Sequence, residues 1–230
     1  MANGKCTRVD WKRKWRFLGL ELVAQLASTP DKADLSHCSL RSSLRSIIRS
    51  SSAALLITVK KAAKTIALRV EDKGLDVLMN NAGFMPYTSG GIEKIDCRTD
   101  IDMVLTANVM GVQSVTSAFM PWLRKGAENK ALGFIGQAQY LSQAALNMLT
   151  AQYVQGYVEG FAFITLRCGC SSMDMGGADA DLTTEQGTMA VVDVVNGKGK
   201  EDNGKFFNIL LKRLENNPRL NQHNGAILHW

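Results

Sequence analysis

Short apolar runs alternate with longer amphipathic stretches through most of this 230-residue chain. The runs of strand length span residues 54–59, 75–79, 161–166 and 205–209. The stretches with helical spacing span residues 60–70, 99–123, 143–154 and 189–195. Nearly continuous apolar runs are typical of strands that are buried on both faces of a parallel sheet. The alternation therefore predicts βαβ units, an α/β fold and a doubly wound parallel sheet with helices on both faces.

Composition places the chain among ordinary globular proteins. Hydrophobic residues make up 46% and charged residues 21% of the sequence, which argues against disordered and collagen-like classes. A chain of this length can bury a full α/β core, and neither an internal repeat nor a linker divides it. We predict one domain over residues 1–230, in which residues 1–16 (basic) and 31–53 (rich in serine) are atypical.

The net charge of +6 fits either a basic enzyme or a protein that binds nucleic acid. The positive charge lies mostly in the first third of the chain, and its only interleaved aromatic residues are Trp11 and Trp15. Nucleic-acid interfaces usually combine basic patches with aromatic residues or a known motif. We therefore favour the enzyme and expect no nucleic-acid partner.

Cysteine usage and hydropathy bear on the compartment. Five scattered cysteines are not the pattern of a disulfide scaffold. Cys168 and Cys170 lack two further ligands at zinc-site spacing, so no metal site is expected. No apolar run approaches the ~20 residues that a membrane helix needs. We expect a cytoplasmic protein without a membrane partner.

Four motifs follow one another along the chain. Asn80-Asn81-Ala82-Gly83 comes directly after an apolar run, and Asn108-Val109-Met110-Gly111 lies in a helical stretch. Tyr140 precedes the helical segment 144–150, and Asp174-Met175-Gly176-Gly177 follows the run at 161–166. In this order they resemble the short-chain dehydrogenase/reductase family. Residues 90–93 and 203–207 are similar to its C-factor-like or sniffer-like branch, which includes many fungal proteins.

The resemblance implies a Rossmann-like domain that binds NADP or NAD and transfers hydride between the nicotinamide and a small-molecule carbonyl or alcohol. It implies that Tyr140 is the general acid/base and that Asn108 holds an active-site water. The cofactor-binding residues that it implies are Gly19, Asn81, Ala82, Gly83 and Gln143. A homo-oligomer is a further expectation, and the choice between NADP and NAD stays open.

The proton chemistry of the family is incomplete in this chain. Gln143 stands where the family has a lysine, which lowers the pKa of the catalytic tyrosine from about 10. Tyr140 precedes Gln143 by three residues rather than four, which rotates it by about 100° around the helix. The family's serine is not matched, and Ser142 is expected on the helix surface.

The phosphate-binding loop is also incomplete. Of its glycines only Gly19 is kept, because Arg13 and Phe17 occupy the other two positions, where a side chain blocks close approach of the backbone to phosphate. We expect the first strand (residues 6–14) and the strand before the active-site helix (residues 132–135) to be poorly formed. Two hypotheses remain: an oxidoreductase with impaired activity, and a non-catalytic Rossmann-like scaffold or interaction protein.

Overall fold

The described residues form one mixed five-stranded sheet with helices on both faces. This computed structural model describes residues 57, 59–64, 68, 74–81, 83, 94–96, 100–126, 130–135, 140–157, 160–168, 182–212 and 222–229. The strands are β1 (Val77–Asn80), β2 (Lys130–Ile135), β3 (Ala162–Arg167), β4 (Phe206–Asn208) and β5 (Ile227–Leu228). The spatial order is β1-β2-β3-β4-β5. The first four strands are parallel, and β5 pairs antiparallel with β4.

Three longer helices accompany the sheet: α1 (Asp102–Leu123), α2 (Tyr140–Gly156) and α3 (Thr184–Gly197). Within α1, α-helical segments (Asp102–Leu105 and Gly111–Leu123) flank a π-helical turn (Thr106–Met110). A 3-10 turn (Lys200–Asp202) leads into β4. The helices predicted over 99–123, 143–154 and 189–195 are confirmed, as are the strands predicted at 75–79, 161–166 and 205–209.

The strand predicted at 54–59 is wrong for the residues that are described there. Ile57 and Val59 are helical, and the helical conformation continues through residues 60–64. Val59 is fully buried against Val115 and Ala118 of α1. A short continuous apolar run fits a buried helix as well as a buried strand, and here contact with α1 decides in favour of the helix.

The strand before α2 is well formed, so the prediction that it is poorly formed is wrong. β2 contains six residues and pairs with β1 on one side and β3 on the other. Gly133 weakens the strand propensity, but its backbone pairs with Asn80 and Thr165. Tertiary pairing overrides the local preference. The first strand (residues 6–14), Gly19 and residues 31–53 lie outside the described residues.

Side chains of β3 alternate between the two faces of the sheet. Ala162, Ile164 and Leu166 pack against α3 and the strands beside it. Phe161 and Phe163 belong to a second cluster, which includes Met120, Leu123 and Ala131 and packs against α1 and α2. Helices on both faces confirm the doubly wound architecture that the alternation of runs predicts.

α1 is the one helix among the described residues that is long and apolar enough to cross a membrane, with 22 residues. Polar residues such as Asn108, Gln113 and Ser114 interrupt it, so it does not form a continuous apolar run. A third of its most apolar window is buried inside the domain, and Phe119, Met120 and Leu123 contribute to the core. A helix that covers a sheet needs this apolarity, so the composition of α1 alone does not indicate a membrane protein.

α3 begins earlier than the apolar spacing indicates, because a capping box starts it. The Thr183 hydroxyl accepts a hydrogen bond from the Gln186 N–H at 3.2 Å, and the Gln186 side-chain oxygen accepts one from the Thr183 N–H at 3.0 Å. These bonds satisfy two backbone donors that a helix start leaves without partners. The box explains why residues 184–188 are helical in a segment rich in threonine and glycine.

We expect Thr183→Ala to lower the free energy of unfolding by about 1 kcal/mol, because the N–H of Gln186 loses its acceptor. Thr183→Ser keeps the hydroxyl and should retain nearly all of the stability. Urea unfolding followed by circular dichroism measures both variants. Equal stability of the alanine variant and the unmodified protein would contradict a stabilising cap.

Candidate active site

The Asn80–Gly83 motif lies at the carboxyl end of β1. Asn80 is the last residue of the strand, and its Nδ2 donates a hydrogen bond to Thr116 Oγ1 in α1 at 3.1 Å. Asn81 and Gly83 follow and are partly buried, whereas Ala82 lies outside the described residues. Ligands of open parallel sheets bind outside the carboxyl ends of the strands. The motif therefore lies on the side of the sheet where a cofactor is expected.

Asn108 lies in the π-helical turn and contacts the start of α2. Its side chain is 5% exposed, and its Nδ2 donates a hydrogen bond to Ser142 Oγ at 3.2 Å. π-helical turns within α-helices occur frequently at functional sites. The contact joins two segments that the sequence marks as functional but that are 34 residues apart.

Ser142 is buried, with 2% of its surface exposed, so the expectation that it lies on the helix surface is wrong. It shares one face of α2 with Leu146 and Thr150, four and eight residues later, and both of these are buried. Residues four apart lie above one another on a helix. The face that carries Ser142 is therefore the face that α2 turns towards the interior.

Tyr140 and Gln143 both belong to the first turn of α2. The helix begins at Tyr140, whose side chain lies outside the described part of the structure. Gln143 is partly buried and follows Ser142 directly. The structure thus brings the α2 turn that contains Gln143 against Asn108. The roles of Tyr140 as acid/base and of Gln143 as ribose contact remain predictions.

A second buried amide lies one turn beyond Gln143. Asn147 is 3% exposed, and within the described ranges its Oδ1 has no hydrogen-bond partner. Leaving a buried polar atom unpaired costs about 1–3 kcal/mol. Gln143 and Asn147 are four residues apart, so they lie on the same side of α2. Their spacing is the signal that could have identified this pair, and our reading of the sequence missed it.

The other tyrosine of α2 is unsuited to proton transfer. Burial raises the pKa of Tyr153 to about 12, and repulsion from Tyr157 adds to the shift. The Tyr153 hydroxyl donates a hydrogen bond to Gln113 Oε1 at 2.6 Å. A group with so high a pKa stays protonated and is a poor acid at neutral pH. On α2, Tyr140 is therefore the better candidate for the acid/base.

A small cavity lies between α1, α2 and the sheet. Its volume is about 20 Å³, which is room for roughly one water molecule. Asn80, Thr116 and Thr150 are polar residues in its lining. Thr165 Oγ1 donates to Thr150 Oγ1 at 3.2 Å, and Thr150 donates to the Leu146 carbonyl at 2.9 Å. The cavity is too small for a dinucleotide or a carbonyl substrate.

Comparison with known proteins supports one family. No family model matches the chain. It is 32% identical over 147 residues to C-signal of Myxococcus xanthus, covering 58% of this chain and 87% of that protein. It is 30% identical over 173 residues to the short-chain dehydrogenase srdF of Neurospora crassa, covering 64% of this chain and 67% of that protein.

Solved structures show the same fold at lower identity. The carbonyl reductase Sniffer of Drosophila melanogaster superposes with a TM-score of 0.72 at 22% identity, over 95% of this chain and 96% of that one. The NADPH-bound carbonyl reductase from chicken fatty liver superposes with a TM-score of 0.69 at 22% identity, over the same shares. Together with the sequence relatives, they show that this chain belongs to the short-chain dehydrogenase/reductase family, in its C-factor-like branch, and has the Rossmann-like fold.

Proposed function

We propose that this protein is an NAD(P)-dependent oxidoreductase that interconverts small carbonyl compounds and alcohols, with weakened proton transfer. The observation that carries the proposal is the contact between Asn108 and Ser142, which holds two motif segments together. The Asn80–Gly83 motif lies at the carboxyl end of β1, where parallel sheets bind their ligands. The reductase from chicken fatty liver binds NADPH, and a short-chain dehydrogenase of Burkholderia cenocepacia with the same fold binds NADP.

The described residues fit the ribose and nicotinamide end of such a cofactor. They offer neutral amides: Gln143 is partly buried in the first turn of α2, and Asn147 lies one turn further, with no hydrogen-bond partner for its Oδ1 among the described residues. Amides can donate to and accept from ribose hydroxyls. The phosphate-binding segment with Gly19 is outside the described residues. When bound, the reduced cofactor would supply the hydride for carbonyl reduction, and the oxidised cofactor would accept it in the reverse direction.

The chain's own residues carry the proton chemistry. In reduction, Tyr140 donates its phenolic proton to the substrate oxygen as that oxygen gains electron density. Gln143 carries no charge, so it does not favour the tyrosinate and does not lower the pKa of Tyr140 as a lysine does. Proton transfer is then driven less strongly at neutral pH. We therefore propose a slow oxidoreductase that retains cofactor binding.

The experiment is a titration of the purified protein with NADPH, followed by the fluorescence of the bound nicotinamide, with NADH in parallel. We expect saturable binding. The cofactor with the higher affinity is the one that the protein prefers. Asn81→Leu should weaken binding, whereas Gln152→Ala, on the exposed side of α2, should not. A flat titration of folded protein with both cofactors would refute cofactor binding and favour the non-catalytic scaffold.

A second observation concerns assembly. Residues 103–123 of α1 and all of α2 contain no charged residue, although 21% of the chain is charged. Met110 and Met148 are exposed on these helices, which contact each other. Loss of charge and enrichment of methionine are typical of the centre of an interface. We infer that the exposed side of these two helices, around Met110 and Met148, binds a second copy of the chain. Such a homo-oligomer is compatible with both the enzyme and the scaffold hypotheses.

Met148→Lys tests the oligomer. We expect the mass measured by light scattering to fall to that of one chain, because a lysine at a side chain that is 62% exposed would be desolvated in the interface. Met189→Lys is the matched control, since Met189 is 54% exposed on α3, on the opposite side of the sheet. An unmodified protein that is itself monomeric would contradict the inference.

The compartment is also a proposal. The five cysteines are odd in number and scattered along the chain, which is not the pattern of a disulfide scaffold. Reduced thiols persist in the cytoplasm. We infer that the protein is cytoplasmic and that its proposed reaction requires neither nucleic acid nor a membrane. Cell fractionation, with a wash of the membrane fraction, tests the location.

A further inference from the structure

We propose that Ser142 is a positioning residue, which holds the first turn of α2 against the π-helical turn of α1 and so sets the orientation of Gln143. The effect on cofactor binding through Gln143 rests on the proposed function. The contact in which Ser142 holds the Asn108 side chain does not depend on that function. Ser142 is thus assigned a role that does not require it to contact cofactor or substrate.

The first step concerns the π-helical turn. The Gly111 N–H bonds to the Thr106 carbonyl, five residues earlier rather than four. π-helical geometry is rare in isolation and occurs mostly as single turns inside α-helices. Thr106 and Asn108 are both buried, so contacts with the surrounding structure hold the turn. The bond from Asn108 to Ser142 is one such contact and connects the turn to α2.

The second step concerns strength. Asn108 and Ser142 are both at least nine-tenths buried. In such surroundings water does not compete, so a hydrogen bond gains strength and an unpaired donor is costly. Replacing the hydroxyl by a methyl group removes the acceptor at 3.2 Å from Asn108 Nδ2. The two helices then lose this constraint.

The third step links the contact to the candidate site. Ser142 and Gln143 are consecutive residues in one helical turn, so a rotation of α2 about its axis moves both by the same angle. Displacing a hydrogen-bonding group by about 1 Å can cost on the order of 100-fold in function. The hydrogen bond that Ser142 accepts from Asn108 of the neighbouring helix restrains that rotation. Gln143 itself is uncharged and depends on direction more than a lysine would.

The experiment compares three substitutions of Ser142 in the full chain. Ser142→Thr keeps the oxygen, Ser142→Cys keeps the size but offers a weak acceptor, and Ser142→Ala removes the group. We expect NADPH to bind about fivefold more weakly to the alanine and cysteine variants, the fold-change of one neutral hydrogen bond. The threonine variant should bind within about twofold of the unmodified protein, since it keeps a hydrogen bond of similar strength.

The matched control is Thr165→Val, which removes another buried hydroxyl bonded to α2, through Thr150. It should lower the melting temperature and leave NADPH affinity unchanged. If it weakens NADPH binding as much as Ser142→Ala does, the effect is general loss of stability and the positioning role is wrong. The same conclusion follows if Ser142→Ala binds NADPH normally.

A second measurement needs no cofactor. We expect slow hydrogen exchange of the Asn108 side-chain amide, observed by nuclear magnetic resonance, in the unmodified protein and in Ser142→Thr, and fast exchange in Ser142→Ala. Equal exchange in all variants would overturn the proposal. If NADPH does not bind at all but the exchange rates differ as expected, the proposed function fails while the contact between the two helices is established.

Discussion

Replacing Gln143 by lysine is expected to raise the turnover of carbonyl reduction on the order of 100-fold, the low end of what general acid/base catalysis contributes. A cation one helical turn from Tyr140 stabilises the tyrosinate and lowers the pKa of Tyr140 from about 10. The measurement is the loss of NADPH absorbance with simple aldehydes and ketones. The alkaline fall in rate should also move to lower pH, because the proton is lost from the tyrosine sooner.

Met189→Lys is the control, because it adds the same charge at an exposed position of α3, on the opposite side of the sheet. It should leave turnover unchanged. NADPH affinity should rise about fivefold only in Gln143→Lys, because a charged donor replaces a neutral one. A gain in affinity without a gain in turnover would show that Tyr140, three residues from this position, is not the acid/base.

Phe163→Ala is expected to destabilise the fold by about 3–5 kcal/mol, the usual cost of deleting a buried aromatic ring. Phe163 stacks on Tyr153 at 5.0 Å and on Phe161 at 5.5 Å between ring centroids. Tyr157 is 5.8 Å away and lies under the Arg124 guanidinium. The truncation removes a ring that links β3 to the end of α2. Urea unfolding gives the change in stability.

Phe163→Leu keeps much of the volume and should cost about 1.5 kcal/mol or less. A leucine variant as unstable as the alanine variant would mean that the ring contacts, rather than the filled volume, hold this cluster. Stability of the alanine variant close to that of the unmodified protein would mean that the aromatic cluster is not part of the cooperative core.

The sheet was largely predictable because buried parallel strands are encoded locally, as apolar runs. β3 and β4 follow this rule, since their residues are buried almost without interruption. The strand predicted for the run at 54–59 is wrong because an apolar residue such as Val59 can be buried in a helix as well as in a strand, and here it packs against α1. The local sequence of β2 predicts a poorly formed strand, because the strand is stabilised by pairing with β1 and β3 rather than by the strand propensity of its own residues.

The candidate site was predictable only in part. The motif segments around Asn80 and Asn108 can be recognised in the sequence as residue patterns. The structure places Asn80 at a strand end and Asn108 in the interior. The burial of Ser142 could not be predicted from the sequence. A sequence pattern tells that residues share a helix face but not which face meets a neighbouring helix. The partner of Ser142 lies 34 residues away in a π-helical turn, where regular α-helical spacing does not apply.

The π-helical turn of α1 has a consequence for sequence change. A π turn corresponds to an α-helix with one residue inserted, so deleting one residue between Thr106 and Met110 can restore a regular α-helix without breaking it. Such a deletion would rotate residues 102–105 by about 100° relative to the remainder of α1. Val104, which is buried, would then turn away from the core. Deletion of a residue from this turn should therefore destabilise the fold more than substitution of a residue within it.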